Sequence, residues 1–338
     1  MSGRERPWGD VTYSPGVPTM ITPEECGYLK WLGSVWRDEG HILEIGPWLG
    51  GSTRALAAGV EGSDLEPTHR LHTCDNFVWR AFMSDRAPLP LVEGQSFRPY
   101  FEENIRDWKD LIVVHEASLP DEAVDRLTVS VGTIEPEPNK LLRWRQGPIE
   151  ILFIDGAKSW KALLHLLRET AGSLVPGALV VCQDYKYSGT YWVPLMIEML
   201  RGHFALEDVL SENTASFRVT EPIEASDLEE LPGEVRELAR ETGLEALDLA
   251  AARLRSYGDP HGALILEAAK VRFLGNVGDM PGALRVFRQV ERRWPMRAGT
   301  MNLDRARKWL IDEGARVRPS SVYRLRRLPR KARMAVRR

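Results

Sequence analysis

Cysteine is scarce in this chain. Cys26, Cys74 and Cys182 are spread over 338 residues with no C-x-x-C pair. An odd, widely spaced count excludes a disulfide framework and a cysteine-rich zinc site, and points to a reducing, cytoplasmic setting. Long apolar runs are also missing, since none reaches the roughly 18 residues needed to span a bilayer. The opening MSGRERPWGDVTYSPG has no apolar core of the kind a secretory signal carries. Acidic residues are absent from 316–338, where ten Lys or Arg fall, leaving 35 bases against 48 acids and a net charge of −13 elsewhere. A basic tail on an acidic body suits an anionic surface, nucleic acid or the body itself, or it is simply a solvated end.

What remains is the composition of a globular protein, 43% hydrophobic and 28% charged. The length suits about two domains. Residues 1–20 read as irregular. Thr22-Pro23-Glu24-Glu25 reads as a helix start, with a Thr cap, Pro in the first turn and acids beside it, and the helix is expected to run to about Glu39. Apolar runs then alternate with helical stretches: HILEI (41–45), LHTCD (71–75), LIVVHE (111–116), IEILFID (149–155) and ALVVCQD (178–184). Such runs, buried on both faces, predict a parallel α/β sheet. Pro176-Gly177 reads as the turn into the fifth strand. FALEDVL and ASFRVTE, parted by SENT, read as a closing hairpin, so the first domain is expected to cover 21–222.

Residues 223–315 show helical periodicity and little strand character. The segment ILEAAKVRFLGNVGDMPGALRVFRQVERRWP resembles one tetratricopeptide-like helix pair, with Gly278-Asp279 at the turn and Ala283, Phe287 and Pro295 at signature spacings. It reads as a small helical domain serving dimerisation or docking, or as a plain helical extension.

The densest chemistry lies in HILEIGPWLGGSTRALA. An apolar strand holds Glu44, a turn with Gly46, Gly50 and Gly51 follows, and Ser52 and Thr53 open a helix. Strand, glycine turn and helix start together form a cradle for a nucleotide-like ligand. The spacing is E-x-G-x-x-x-G-G, not the G-x-G-x-x-G of dinucleotide folds. Ligands of open α/β sheets sit beyond the carboxyl ends of the strands. That rule selects Asp75 after the second strand, Glu116 and Ser118 after the third, Asp155 after the fourth, and Gln183 and Asp184 after the fifth. The connection 76–100 is long and rich in aromatics (Phe77, Trp79, Phe82, Phe97, Tyr100), and reads as a lid or binding loop. Tyr185, Tyr187, Tyr191 and Trp192 are candidates for an acceptor pocket or for packing. His72, His115 and His165 lack metal-ligand spacing.

EIGPWLGGST, the position of Asp75 and the pair FIDG and CQDY resemble class I S-adenosylmethionine (SAM)-dependent methyltransferases. Over roughly residues 20–222 they look like the group that includes macrocin O-methyltransferase and cephalosporin-type tailoring enzymes, and a similar layout occurs in catechol and caffeoyl-CoA O-methyltransferases. The resemblance implies a Rossmann-like seven-stranded sheet with helices on both faces, followed here by a C-terminal helical extension. It implies that Glu44, Gly46, Gly50, Gly51 and Ser52 meet the methionine part of SAM, that Asp75 binds the ribose, that Ser118 lies near the adenine, and that Asp155 adjoins the cofactor. It also implies Mg²⁺ on Asp155, Gln183 and Asp184, although Gln183 stands where an acid is usual and removes one charge. Lys158, in D-G-A-K, stands where catechol-type O-methyltransferases carry a general base, while the macrocin-like group has histidine. Catalysis would then fall to Lys158 and Asp155. The expected reaction is methylation of a hydroxyl on a small or sugar-bearing acceptor. Two other readings stay open: an NAD-dependent dehydrogenase, and a degenerate methyltransferase fold serving as a scaffold. Pairing of copies through the helical C-terminus is a further expectation.

Overall fold

The computed structural model describes residues 8–9, 12–120, 140–210, 212–294 and 301–315. The basic tail and Pro295 lie outside them. The chain divides into two compact units, one built from 1–184 and 200–231, the other from 185–199 and 232–338.

The first unit opens with α1 (Pro23–Ser34), started by a reciprocal cap. Glu25 N–H donates to the Thr22 hydroxyl at 3.2 Å, and Thr22 N–H donates to Glu25 Oε2 at 2.8 Å. The helix stops at Ser34, short of the expected Glu39, and Asp38 then turns the chain at φ 61° while its carboxylate accepts the N–H groups of Thr68 and His69. Next come β1 (His41–Ile45), α2 (Gly51–Glu61), β2 (Leu71–Asp75), α3 (Arg98–Ile105), β3 (Ile112–Glu116), β4 (Ile149–Ile154), α4 (Trp160–Thr170) and β5 (Leu174–Cys182). After α5 (Trp192–Met199), which belongs to the other unit, β6 (Phe204–Val209), β7 (Ala215–Val219) and the short α6 (Ala225–Glu229) complete it.

The seven strands lie in the order β3-β2-β1-β4-β5-β7-β6. β1 to β5 are parallel, and β7 runs antiparallel to both β5 and β6. The chain moves outward from β1 toward β3, then returns to β4 and moves the other way. Right-handed crossovers therefore place α2 and α4 on opposite faces, and the switch falls between β1 and β4. Ile42, Ile151, Phe153 and Val181 share one core with Leu29 and Leu32 of α1 and Leu56 and Val60 of α2. These helices cross almost backbone to backbone: a Cβ on Gly59 would lie 2.0 Å from the Lys30 carbonyl oxygen, and one on Gly33 would lie 2.2 Å from that of Leu56.

Pro176-Gly177 is not a turn before β5. The strand passes through both residues, and the register slips between Ile149↔Leu174 and Ile151↔Leu179. Gly177 at φ 79° absorbs the irregularity, as a bulge requires.

The second unit consists of α5, α7 (Arg240–Tyr257), α8 (Pro260–Asn276), α9 (Met280–Arg293) and α10 (Met301–Asp312). α5 lies inside the linear 21–222 segment, yet it packs on α7 and pairs Glu198 with Arg253 at 3.0 Å. Two corners of this unit are alike. Gly258-Asp259 and Gly278-Asp279 stand 20 residues apart, each glycine at positive φ, and each pair is followed after two further residues by Gly-Ala-Leu. Asp259 accepts the Gly262 N–H at 2.7 Å, and Asp279 accepts the Gly282 N–H at 2.8 Å, capping α8 and α9 in the same manner. Among the described residues, no helix is long and apolar enough to cross a membrane.

Candidate active site

Glu44 is fully buried in β1. Its Oε2 accepts the Thr53 hydroxyl at 2.6 Å. Burial pushes its carboxyl up to about 7, against the pull of the Ser52 and Thr53 hydroxyls. The other oxygen, Oε1, has no hydrogen-bond partner. Leaving such an atom unmet costs about 1–3 kcal/mol.

The turn after β1 is left-handed at Gly46 (φ 86°), Trp48 (φ 44°) and Gly50 (φ 88°). The glycines make room for protein as well as for a ligand. A Cβ on Gly46 would lie 2.7 Å from the Gly156 nitrogen, and one on Gly51 would lie 2.6 Å from the Thr19 Cβ. Gly46 and Gly156 thus press the loops after β1 and β4 together at the switch point. Gly156 and Thr19 were not singled out by sequence; the only signal for Gly156 was an Asp-Gly pair directly after a strand. Gly50 caps α2 with no side-chain acceptor, so the first N–H groups of that helix remain open to an anion or a polar ligand. The Trp48 indole N–H is buried without a partner in the same turn.

Asp75 ends β2, and its Oδ1 accepts the Phe77 N–H at 2.7 Å. Burial raises its carboxyl to about 6, against the N–H groups of Phe77 and Asn76. Ser118 follows β3 and bridges to Leu141, donating its N–H to the Lys140 carbonyl at 2.7 Å. Glu116 is exposed and pairs with Arg98 at 2.9 Å.

Beyond β4 and β5 the two acids meet through a lysine. Lys158 Nζ donates to Asp155 Oδ1 at 2.7 Å and to Asp184 Oδ2 at 2.9 Å. Burial alone would lower the lysine pKa, but the two carboxylates outweigh it and hold the ammonium above its usual range. Asp155 itself is raised, first by burial and further by Asp184, with Lys158 pulling the other way. Gln183 donates its N–H to the Ile154 carbonyl at 3.0 Å, extending β5 beside β4, and its side-chain oxygen is buried without a partner.

The aromatic connection is anchored at its two ends, while most of 81–96 between them is exposed. Phe77, Trp79 and Phe97 are buried in the α1–α2 core, and Trp79 N–H donates to Gln95 O at 2.7 Å while Phe97 N–H donates to Phe77 O at 2.9 Å. Phe82 is exposed. Tyr191 and Trp192 are buried in the helical unit, where Tyr191 accepts from Asn276 Nδ2 at 2.7 Å. They pack there as core residues.

The histidines form a chain of their own across β1, β2 and β3. Arg70 N–H donates to His41 Nδ1 at 3.1 Å, which leaves the His41 proton on Nε2, 3.0 Å from the Gln146 carbonyl. His72 must then donate from Nε2 to His41 Nδ1 at 3.2 Å and accept at Nδ1 from His115 Nε2 at 2.8 Å. The chain is satisfied only when His41 and His72, which each accept at Nδ1, are neutral.

Residues 43–185 match the family model of a methyltransferase domain. Solved structures similar to this chain include the O-methyltransferase NovP, 14% identical over 61% of this chain and 83% of that one, with a TM-score of 0.41. SAH-bound methyltransferase PaMTH1 of Podospora anserina is 13% identical over 60% of this chain and 80% of that one, with a TM-score of 0.39. The calicheamicin methyltransferase CalS11 is 15% identical over 57% and 76%, with a TM-score of 0.38. No curated protein matches the chain.

Proposed function

We propose that this protein is a SAM-dependent O-methyltransferase acting on a hydroxyl of a small or sugar-bearing acceptor. The observation that carries this reading is the set of unmet buried polar atoms at the strand ends: Glu44 Oε1, the Trp48 indole N–H and the Gln183 side-chain oxygen. Two acceptors and a donor beside an uncapped helix suit a ligand that is both zwitterionic and hydroxylated, as SAM is. Glu44 would take its amino group, the backbone from Gly46 to Ser52 its carboxylate, Asp75 its ribose hydroxyls, and Ser118 would border its adenine. When bound, SAM supplies an electrophilic methyl group on a positively charged sulfur.

Magnesium does not fit the residues as they are arranged. The two carboxylate oxygens it would share, Asp155 Oδ1 and Asp184 Oδ2, already accept hydrogen bonds from Lys158, and Gln183 contributes no charge. The chain's own groups are therefore assigned the remaining roles. Asp155, with its raised pKa, takes the proton of the acceptor hydroxyl as its oxygen attacks. Lys158 stays an ammonium, keeps Asp155 in place and balances the charge that develops on the acceptor oxygen. The enzyme otherwise supplies alignment and exclusion of water. The free, buried state of all three cysteines suits a cytoplasmic enzyme.

Calorimetry with SAM and S-adenosylhomocysteine (SAH) tests the reading. Both are expected to bind with 1:1 stoichiometry. Binding of NADH in their place would favour the dehydrogenase, and a folded chain that binds neither cofactor would favour the scaffold.

A further inference from the structure

We infer that the Lys158 ammonium takes the place of a divalent cation in this site, so that the protein carries its own cation and needs no metal. The inference rests on the function proposed above. Three observations lead to it.

The first is position. Asp155 and Asp184 leave neighbouring strands, and Lys158 Nζ lies 2.7 Å from one and 2.9 Å from the other. Magnesium would need the same two oxygens at about 2.0–2.1 Å. On those oxygens it would compete directly with the ammonium.

The second is charge. Two carboxylates against one ammonium leave a net of one negative charge on the triad. An acid at 183 would double that and favour a dication; glutamine adds nothing. Among the described residues, no group of three or more His, Cys, Asp or Glu is placed to hold a metal.

The third is the cost of the lysine's location. Lys158 directly precedes Ser159, the cap of α4, whose hydroxyl accepts the Ala162 N–H at 3.0 Å. A cation is unfavourable beside a helix N-terminus. The lysine is held there because it is i+3 from Asp155 and its N–H donates to the Gly156 carbonyl at 3.0 Å, which aims the side chain back across both acids. Half of the side chain remains open to solvent, so an acceptor oxygen can reach the charge. Lys158 is in this sense a positioning residue for Asp155 and Asp184.

The test is Mn²⁺ titration of the purified full chain, followed by the electron paramagnetic resonance of free Mn²⁺. Wild type is expected to leave the free signal undiminished. Lys158→Met is expected to bind Mn²⁺ tighter than wild type by roughly tenfold or more, and Lys158→Arg, which keeps the charge, to behave as wild type. Wild-type binding that disappears in Asp155→Asn overturns the inference, and so does equal Mn²⁺ affinity in wild type and Lys158→Met. Circular dichroism and the urea-unfolding midpoint of each variant report whether it has folded. Because the Mn²⁺ readout needs no SAM, failure of the cofactor reading is distinguished from failure of this one.

Discussion

At pH 8 the Glu44 carboxyl is ionised inside the sheet, held by the Thr53 hydroxyl. Its folded pKa of about 7 lies above the ordinary carboxylate value of 4.5. The folded state therefore binds the extra proton, and the stability this gives is full below pH 4.5 and is lost as pH rises through 7. Glu44→Gln removes that loss. The variant is expected to be more stable than wild type at pH 8 by about 1–3 kcal/mol, with the difference shrinking toward pH 5. The same change weakens SAH binding by about ten- to a hundredfold, the worth of one hydrogen bond to a charged group. Urea unfolding at the two pH values and calorimetry measure the two effects. A variant that is less stable at pH 8 and binds SAH normally would remove Glu44 from the site. Glu44 was legible in sequence because an acid inside an apolar run is costly without a use. The partnership of Asp155 with Lys158 was legible only as an i, i+3 spacing. Its outcome, an ammonium held charged, depended on Asp184 arriving from another strand, 26 residues after Lys158, and no local pattern encodes that.

Among the elements, α1 and α2 depend on two missing side chains. Gly59→Val would place a branched Cβ against the Lys30 carbonyl oxygen at 2.0 Å and must push the helices apart. The expected loss is about 2–3 kcal/mol by urea unfolding. Gly172→Ala, which meets nothing within 4 Å, serves as the control with little change. Wild-type stability in Gly59→Val would mean that the helices do not pack there. The strands themselves were readable because β1 to β4 are nearly continuous apolar runs flanked by polar residues. Pro176-Gly177 misled for a physical reason: at a bulge these residues carry the same local signature as at a turn, and only pairing with β4 separates the two. The aromatic connection misled in the opposite sense. Its length suggested a lid or binding loop, but Phe77, Trp79 and Phe97 supply apolar area that holds its two ends in the core.

Across the molecule, the histidine chain links three strands, and its two accepting rings, His41 and His72, must stay neutral. His72 is lowered to about 3 by burial, and by the positive charge that His41, His115 and Arg70 would set beside it. His41 and His115 are lowered as well, burial being the first cause in each. For a base whose folded pKa is depressed, the unfolded chain takes the proton first. Stability is thus full above pH 6.5 and falls toward pH 3, by about 1.4 kcal/mol per pH unit for His72 alone. His72→Phe is expected to flatten the acid limb of the stability–pH curve relative to wild type. Parallel acid limbs in urea-unfolding series would show that the chain does not titrate on unfolding. Nothing in the spacing of positions 41, 72 and 115 announces this chain, because it exists only once β1, β2 and β3 are in register.

The two Gly-Asp corners of the helical unit carry a consequence of another sort. Each copy of the twenty-residue unit contributes one helix and one reversal, so the array obeys a parity rule. Splicing in a single further copy after Asp279 would send every later helix in the opposite direction and strand α10 at the wrong end. Splicing in two would restore the direction and only lengthen the stack. An evolving or engineered descendant of this chain can therefore grow by even steps alone.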